Sequence, residues 1–185
     1  MRISNNLTHH FLVAMPQLND SYFGRSVCYI CDHNEQGSMG LVINKPMDLS
    51  LADIFSELEI EANSRSDISI MQGGPVSPEQ GFVLYKGDYD DVQNTEIANN
   101  VRLSTSKEIL ANIAQGKGPD DILVCLGYAG WEAGQLEEEI AGNTWLTVEA
   151  DDQLLFRTPI NEIAKQAAHK IGVDLNLLTS QSGHA

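Results

Sequence analysis

The chain has 185 residues, of which 42% are hydrophobic and three are cysteines, so it can bury a real core, is not disordered, and carries an odd cysteine count that argues against a secreted disulfide scaffold. Twenty-six acidic residues against eleven basic ones give a formal charge of −15; such a surface repels polyanions, and direct nucleic-acid binding is not expected. The longest apolar stretch, "ILVCLGYAGW", is about half of the ~20 residues a membrane span needs, and "FLVAM" is cut off by Pro16 before it could act as a signal segment, so the expected location is cytoplasmic with no membrane contact.

In chain order, Phe11–Met15 is predicted as a short strand ended by Pro16. Residues 26–32, rich in Val, Tyr and Ile, form a second strand and 38–44 a third, joined through "HNEQG" as a hairpin with a four- or five-residue loop. Leu51, Ile54, Phe55 and Leu58 fall at i, i+3, i+4 and i+7, which is helical spacing, with Ser50 as the N-cap and Asp53 in the first turn. "ISIMQ" and "FVLYKG" are strands, separated by the turn-rich connection "GGPVSPEQG" at 73–81. Residues 86–100 read as a mobile acidic loop.

"VRLSTSKEILANIAQGKG" starts extended and becomes helical behind a Thr105-x-x-Glu108 capping box. "DDILVCLG" is apolar at five consecutive positions, the mark of a strand covered on both faces, and "YAGWEAG" leads from it into the helix "QLEEEIAGN". "TWLTVEAD" and "QLLFRT" read as strands turning at Asp151 and Asp152. Thr158 and Pro159 open the last long helix, and the tail from residue 173 is weakly structured. Strands and helices mix without strict alternation, so the expected fold is α+β. It is a compact single domain, 1–185, with a largely antiparallel or mixed sheet and helices packed against it.

Four stretches bear on chemistry. Cys28 and Cys31 form a Cys-x-x-Cys, but in a strand residues i and i+3 lie roughly 10 Å apart on opposite faces, whereas a disulfide needs Cα atoms within about 7 Å. No second Cys or His pair completes a zinc site, so no metal or other cofactor is expected and both cysteines read as small strand hydrophobes, as does Cys125. Cys31 and His33 are i and i+2 and would share a face, where a Cys–His pair can activate a thiolate; alternatively His33 hydrogen-bonds the loop it opens.

In "LGYAGWEAGQLEEEI", Gly127, Gly130 and Gly134 surround a strand-to-helix junction, and Tyr128, Trp131, Gln135 and Glu137 are candidates to line a cleft. The bland alternative is close packing, with Trp131 in the core and the glutamates solvated. The Gly73-Gly74-Pro75 turn offers free backbone N–H groups or simply redirects the chain. Asn44 and Lys45 end a strand before Pro46 and are candidate ligand contacts second to strand exit.

"HHFLVAMPQLNDSYFGRSVCYICDHNEQGSMGLVINKP", "GGPV" followed by "GFVLY", and "LGYAGWEAGQLEEEIAGNTWL" together resemble the YqgE/AlgH family over nearly the whole chain, down to the closing "GHA". The resemblance implies a bacterial cytoplasmic α+β protein of unsettled activity, one branch of which is labelled a transcriptional regulator of alginate production. By position the family pattern falls on His33, Gly40, Asn44, Lys45, Pro46, Gly73, Gly74, Pro75, Gly127, Tyr128, Trp131, Gly134, Gln135, Leu136 and Glu137. Two positions depart from it: Tyr85 stands where relatives often carry His, and Cys28 where they carry an aliphatic residue.

The expected role is therefore a non-enzymatic protein that affects gene expression indirectly, through an unknown small molecule or protein partner. The alternative is a small hydrolase or thiol-dependent enzyme, with His33 paired to Cys31 or Glu137 near the Gly73-Gly74-Pro75 turn and the 127–137 segment.

Overall fold

"ILVCL" lies in an eleven-residue strand, β9 (Ile122–Glu132), whose two halves pair with different strands. The computed structural model describes residues 6–20, 22–89 and 93–181. The chain folds as two compact units, one made of the residues up to Asn44 together with those from Ala129, the other of Lys45–Tyr128.

In the first unit, β1 (His10–Ala14) pairs antiparallel with β10 (Trp145–Glu149) on one side and β2 (Val27–Asn34) on the other. β3 (Gly37–Val42) pairs antiparallel with β2 and with the second half of β9. Alternation along these strands builds a core of Leu12, Cys28, Ile30, Val42, Trp131 and Trp145, closed by Leu136 of α3 (Gln135–Ala141). Phe11 and Tyr29 are cross-strand partners on the opposite face. A later helix, α4 (Ile163–Lys170), packs on β1 and β10 and is followed by α5 (Leu175–Gln181).

In the second unit, the first half of β9 pairs antiparallel with β6 (Val76–Lys86) and parallel with β5 (Ser69–Gln72). β4 (Pro46–Ser50) pairs antiparallel with β5. β8 (Val101–Ser104) pairs antiparallel with both β6 and β7 (Asn94–Ala98). Leu51 and Phe55 of α1 (Leu51–Glu57) and Ile109 and Ile113 of α2 (Lys107–Ala114) bury against Ile70, Val83, Tyr85 and Val124. Ser50 starts α1 as expected, its N–H donating to the Asp53 carboxylate at 2.9 Å. The α+β class and the largely antiparallel pairing, with one parallel pair, follow the sequence reading.

Several local expectations are corrected. The β2–β3 turn is tight, with Asn34 opposite Gly37 and only Glu35 and Gln36 between them, rather than a four- or five-residue loop. Residues 76–81 belong to β6; the register slips between Val76 and Gly81, and this slip accommodates Pro78, which has no N–H to give a ladder. Part of the 86–100 stretch is strand, β7, while residues 90–92 lie outside the described residues. "YAGW" continues β9, leaving only Gly134 (φ +77°) at the strand-to-helix junction.

"QLLFR" is a π-helical turn, not a strand, since the Asp151 carboxylate accepts the Leu154 N–H at 2.8 Å and starts a helical turn. Ser106, not Thr105, caps α2 by accepting from the Ile109 N–H. Thr158 donates its hydroxyl to the Gln153 carbonyl instead of capping, and a 3-10 turn (Ile160–Glu162) precedes α4. The tail carries α5, and residues 182–185, which include "GHA", lie outside the described residues.

Gly127 has φ +75°, and a Cβ there would stand 2.3 Å from the Gly74 carbonyl oxygen. Only glycine meets both conditions at the register slip between β9 and β6. Gly40 has a different reason: a Cβ would press on the Tyr29 carbonyl, the Ile30 side chain and the Trp131 ring at 3.0–3.3 Å. It makes room for the indole.

Candidate functional site

His33 stands near the end of β2 with its side chain only 8% exposed. The Leu7 amide lies 2.9 Å from its Nδ1. A backbone N–H can only donate, so Nδ1 is the acceptor and the ring proton sits on Nε2. Nε2 in turn donates to Glu137 Oε1 at 2.6 Å. That hydrogen bond, and a further one from the Glu137 backbone, hold the Glu137 carboxyl below the usual carboxylate range although the side chain is half exposed. His33 therefore ties the N-terminal segment to α3 rather than bonding the loop it opens.

The other candidates of this unit are engaged in the same way. Asn44 accepts the Val27 N–H at 2.9 Å and donates to the Arg25 carbonyl at 3.0 Å, closing the backbone where β2 begins. Gln135 accepts the Glu132 N–H at 2.9 Å and donates to Glu139 Oε1 at 3.2 Å. Trp131 Nε1 donates to Glu139 Oε2 at 2.9 Å, and Trp145 Nε1 donates to the same oxygen at 2.8 Å. One carboxylate oxygen thus holds two indoles whose rings meet edge to face, 6.3 Å apart. A cavity of about 110 Å³ lies here, bordered by Trp131, Gln135, Glu139, Trp145, Phe23 and Asp20. Trp131 also borders a shallower hollow of about 230 Å³ with Asp32, Asn34 and Met39.

Glu139 and Trp145 were missed in the sequence. The i, i+4 spacing of Gln135 and Glu139 on one helix face was the available signal, but nothing local marks Trp145 as their partner.

None of the three cysteines is in a disulfide, and all three are buried thiols. Burial pushes the Cys125 thiol up to about 12, away from thiolate chemistry. Cys31 sits at a bulge between Ile30 and Asp32, so simple alternation does not carry its side chain to the face of His33. Its Sγ lies 3.8 Å from the Tyr29 carbonyl oxygen.

Lys45, Gly73, Gly74, Pro75 and Tyr128 belong to the second unit. The Gly73 N–H donates to the Leu126 carbonyl at 2.8 Å, so it does not contribute to an open anion nest. Gly74 is packed under Gly127, Pro75 is exposed, and Tyr128 stands edge-on to Phe82. The Lys45 carbonyl accepts the Gln72 N–H, joining the start of β4 to β5. A cavity of about 250 Å³ in this unit is lined by none of these candidates. No group of three or more His, Cys, Asp or Glu side chains suited to a metal ion occurs among the described residues, and no described helix is long and apolar enough to cross a membrane.

A family model described as AlgH-like matches residues 11–176. A UPF0301 protein of Thioalkalivibrio sulfidiphilus is 47% identical over 186 residues, covering 100% of both chains. A second UPF0301 protein, from Hahella chejuensis, is 46% identical over 181 residues, with 98% of this chain and 97% of its own covered. Among solved structures, the solution structure of the AlgH protein from Pseudomonas aeruginosa aligns with a TM-score of 0.81 at 45% identity, over 100% of this chain and 99% of that one. A crystal structure of a Corynebacterium diphtheriae protein aligns with a TM-score of 0.75 over 96% of this chain and 94% of its own; at 19% identity it shares the fold alone.

Proposed function

The chain belongs to the AlgH-like family, and from that premise we propose that it is a cytoplasmic protein affecting gene expression indirectly, through a small ligand or protein partner, rather than by gripping DNA or by catalysis. The observation that carries this reading is the engagement of His33. Both ring nitrogens are in use, one accepting from Leu7 and one donating to Glu137, which leaves no lone pair to take a proton from a substrate. The buried thiols and the formal charge of −15 add support against thiol catalysis and direct operator binding. The ligand or partner surface in this reading includes Trp131 and Gln135, which border a concavity, with His33, Asn44 and Glu137 holding its frame. Lys45, Gly73, Gly74, Pro75 and Tyr128 remain candidate contacts in the second unit.

The rival, hydrolytic or thiol-dependent activity, draws its support from the 2.6 Å His33–Glu137 contact. Native mass spectrometry of freshly purified protein, with thermal-shift screening against metabolites and nucleotides, tests the leading reading. A co-purifying or stabilising small molecule, together with no tight DNA binding in a low-salt gel shift, is the expected result. Sequence-selective DNA binding, or turnover of a test ester that is lost in His33→Ala, would overturn it.

A further inference from the structure

The cavity of about 250 Å³ in the second unit is built from the end of α1, the register slip of β6 and the start of α2. Its apolar wall is Ile54, Leu58, Leu110 and Leu126, all half-buried. Ile54, Leu110 and Leu126 pack on the core by one side and leave the other to the cavity. Glu57, Glu79 and Lys107 border the same space and are exposed. Among the described residues none of these three charged side chains has a hydrogen bond or an ion-pair partner, so unlike charges share one cavity without neutralising each other. This contrasts with the first unit, where every polar candidate is engaged within the fold.

From this arrangement we infer that the second unit binds a free apolar α-amino acid of about leucine size: its ammonium on Glu57 and Glu79, its carboxylate on Lys107, its side chain against Ile54, Leu58, Leu110 and Leu126. Three features select that class. The volume lies below the ~300–1,000 Å³ typical of drug-sized ligands, so the occupant is small. A fatty acid would face two carboxylates, and a simple alkylamine would leave Lys107 unmatched; a zwitterion matches both signs. The leucine- and isoleucine-lined wall gives no favourable contact to glycine, serine or other amino acids without an apolar side chain. The assignment does not depend on the regulatory reading of the first unit, and it places no chemistry on the ligand.

The test is a titration of the full chain with L-leucine, N-acetyl-L-leucine, L-leucinamide and glycine, followed by 1H–15N correlation spectra. L-Leucine is expected to shift resonances of residues 54–58, 79–81 and 104–110 at saturable concentrations. Removing the carboxylate, the ammonium or the side chain is expected to weaken binding on the order of tenfold or more, the loss of one charge-assisted contact. Lys107→Gln should weaken L-leucine while leaving L-leucinamide unchanged, and Glu57→Gln with Glu79→Gln should weaken L-leucine while leaving N-acetyl-L-leucine unchanged. Equal binding of all four compounds, no binding of L-leucine, or shifts confined to residues 129–145 would each overturn the inference. The last outcome would assign the ligand to the first unit, leaving the regulatory proposal standing without this one.

Discussion

Two regions of this molecule treat their polar side chains in opposite ways. In the first unit, His33, Asn44, Trp131, Gln135, Glu137 and Glu139 form hydrogen bonds to one another or to backbone. Around the α1–α2 cavity, Glu57, Glu79 and Lys107 face a hollow with no partner among the described residues. A group of polar and aromatic residues dense enough to look catalytic can thus be held by bonds within the fold, while a hollow with unpartnered charges forms where the sequence shows only ordinary surface residues. The physical distinction is desolvation. A buried indole N–H or imidazole must find a partner inside the fold, whereas an exposed carboxylate can wait for one in solvent.

The largest effect that would sharpen this contrast is at Glu139. Replacing it with Leu leaves the indole N–H groups of Trp131 and Trp145 without their acceptor, and a loss of about 2–4 kcal/mol in urea unfolding is expected. A loss near zero would mean that the two indoles are served by water and that the region is not a closed scaffold. Next is a pair of glycines. Gly40→Ala, with three neighbours at 3.0–3.3 Å, should cost about 1–3 kcal/mol. Gly81→Ala, whose only neighbour is a Leu126 methyl at 4.0 Å, should stay within about 0.5 kcal/mol.

His33→Ala should cost about 1–2 kcal/mol and accelerate hydrogen exchange at the Leu7 amide, which loses its acceptor. The effect at Glu137 is smaller because its side chain is half exposed. Its folded pKa is depressed, so its contribution is complete above the unfolded carboxylate value and lost as pH falls through the folded one. The stability difference between the natural chain and Glu137→Gln should hold steady down to about pH 5 and shrink below about pH 4.5. Smallest of all, Glu57→Gln, Glu79→Gln and Lys107→Gln should each change stability by less than about 0.5 kcal/mol, since they remove no contact within the fold. A larger change at any of them would break the comparison from the other side.

Much of the framework was legible in the sequence because it rests on local signals. The apolar run of β9, the helical spacing of Leu51, Ile54, Phe55 and Leu58, and the Ser50–Asp53 cap each declare themselves within a few residues. The missed strands have their cause in a partner distant in sequence, and the missed helical turn has its cause in a side-chain capture. β4 and the first half of β6 are strands because β5, and in part β9, pair with them, against the local signal of Pro46 and Pro78. "QLLFR" has strand-forming residues, yet Asp151 captures a backbone N–H and winds it into a helical turn.

For the site, His33, Trp131, Gln135 and Glu137 could be picked out as candidates, but not the contacts they make. That His33 accepts from Leu7, 26 residues away, and that Glu139 collects both indoles are facts of tertiary geometry. The cavity of the second unit has no sequence signal, because Glu57, Glu79 and Lys107 form no motif.

The most direct measurement is the protonation pattern of the His33 ring, read from long-range 1H–15N correlation of its imidazole in the full chain under conditions where the ring is neutral. A single Nε2–H tautomer, with Nδ1 shifted as an acceptor and the Leu7 amide protected from exchange, is the expected result. Rapidly interconverting tautomers with an unprotected Leu7 amide would show that His33 is available to take a proton, and would contradict the assignment of the α3 region as scaffold.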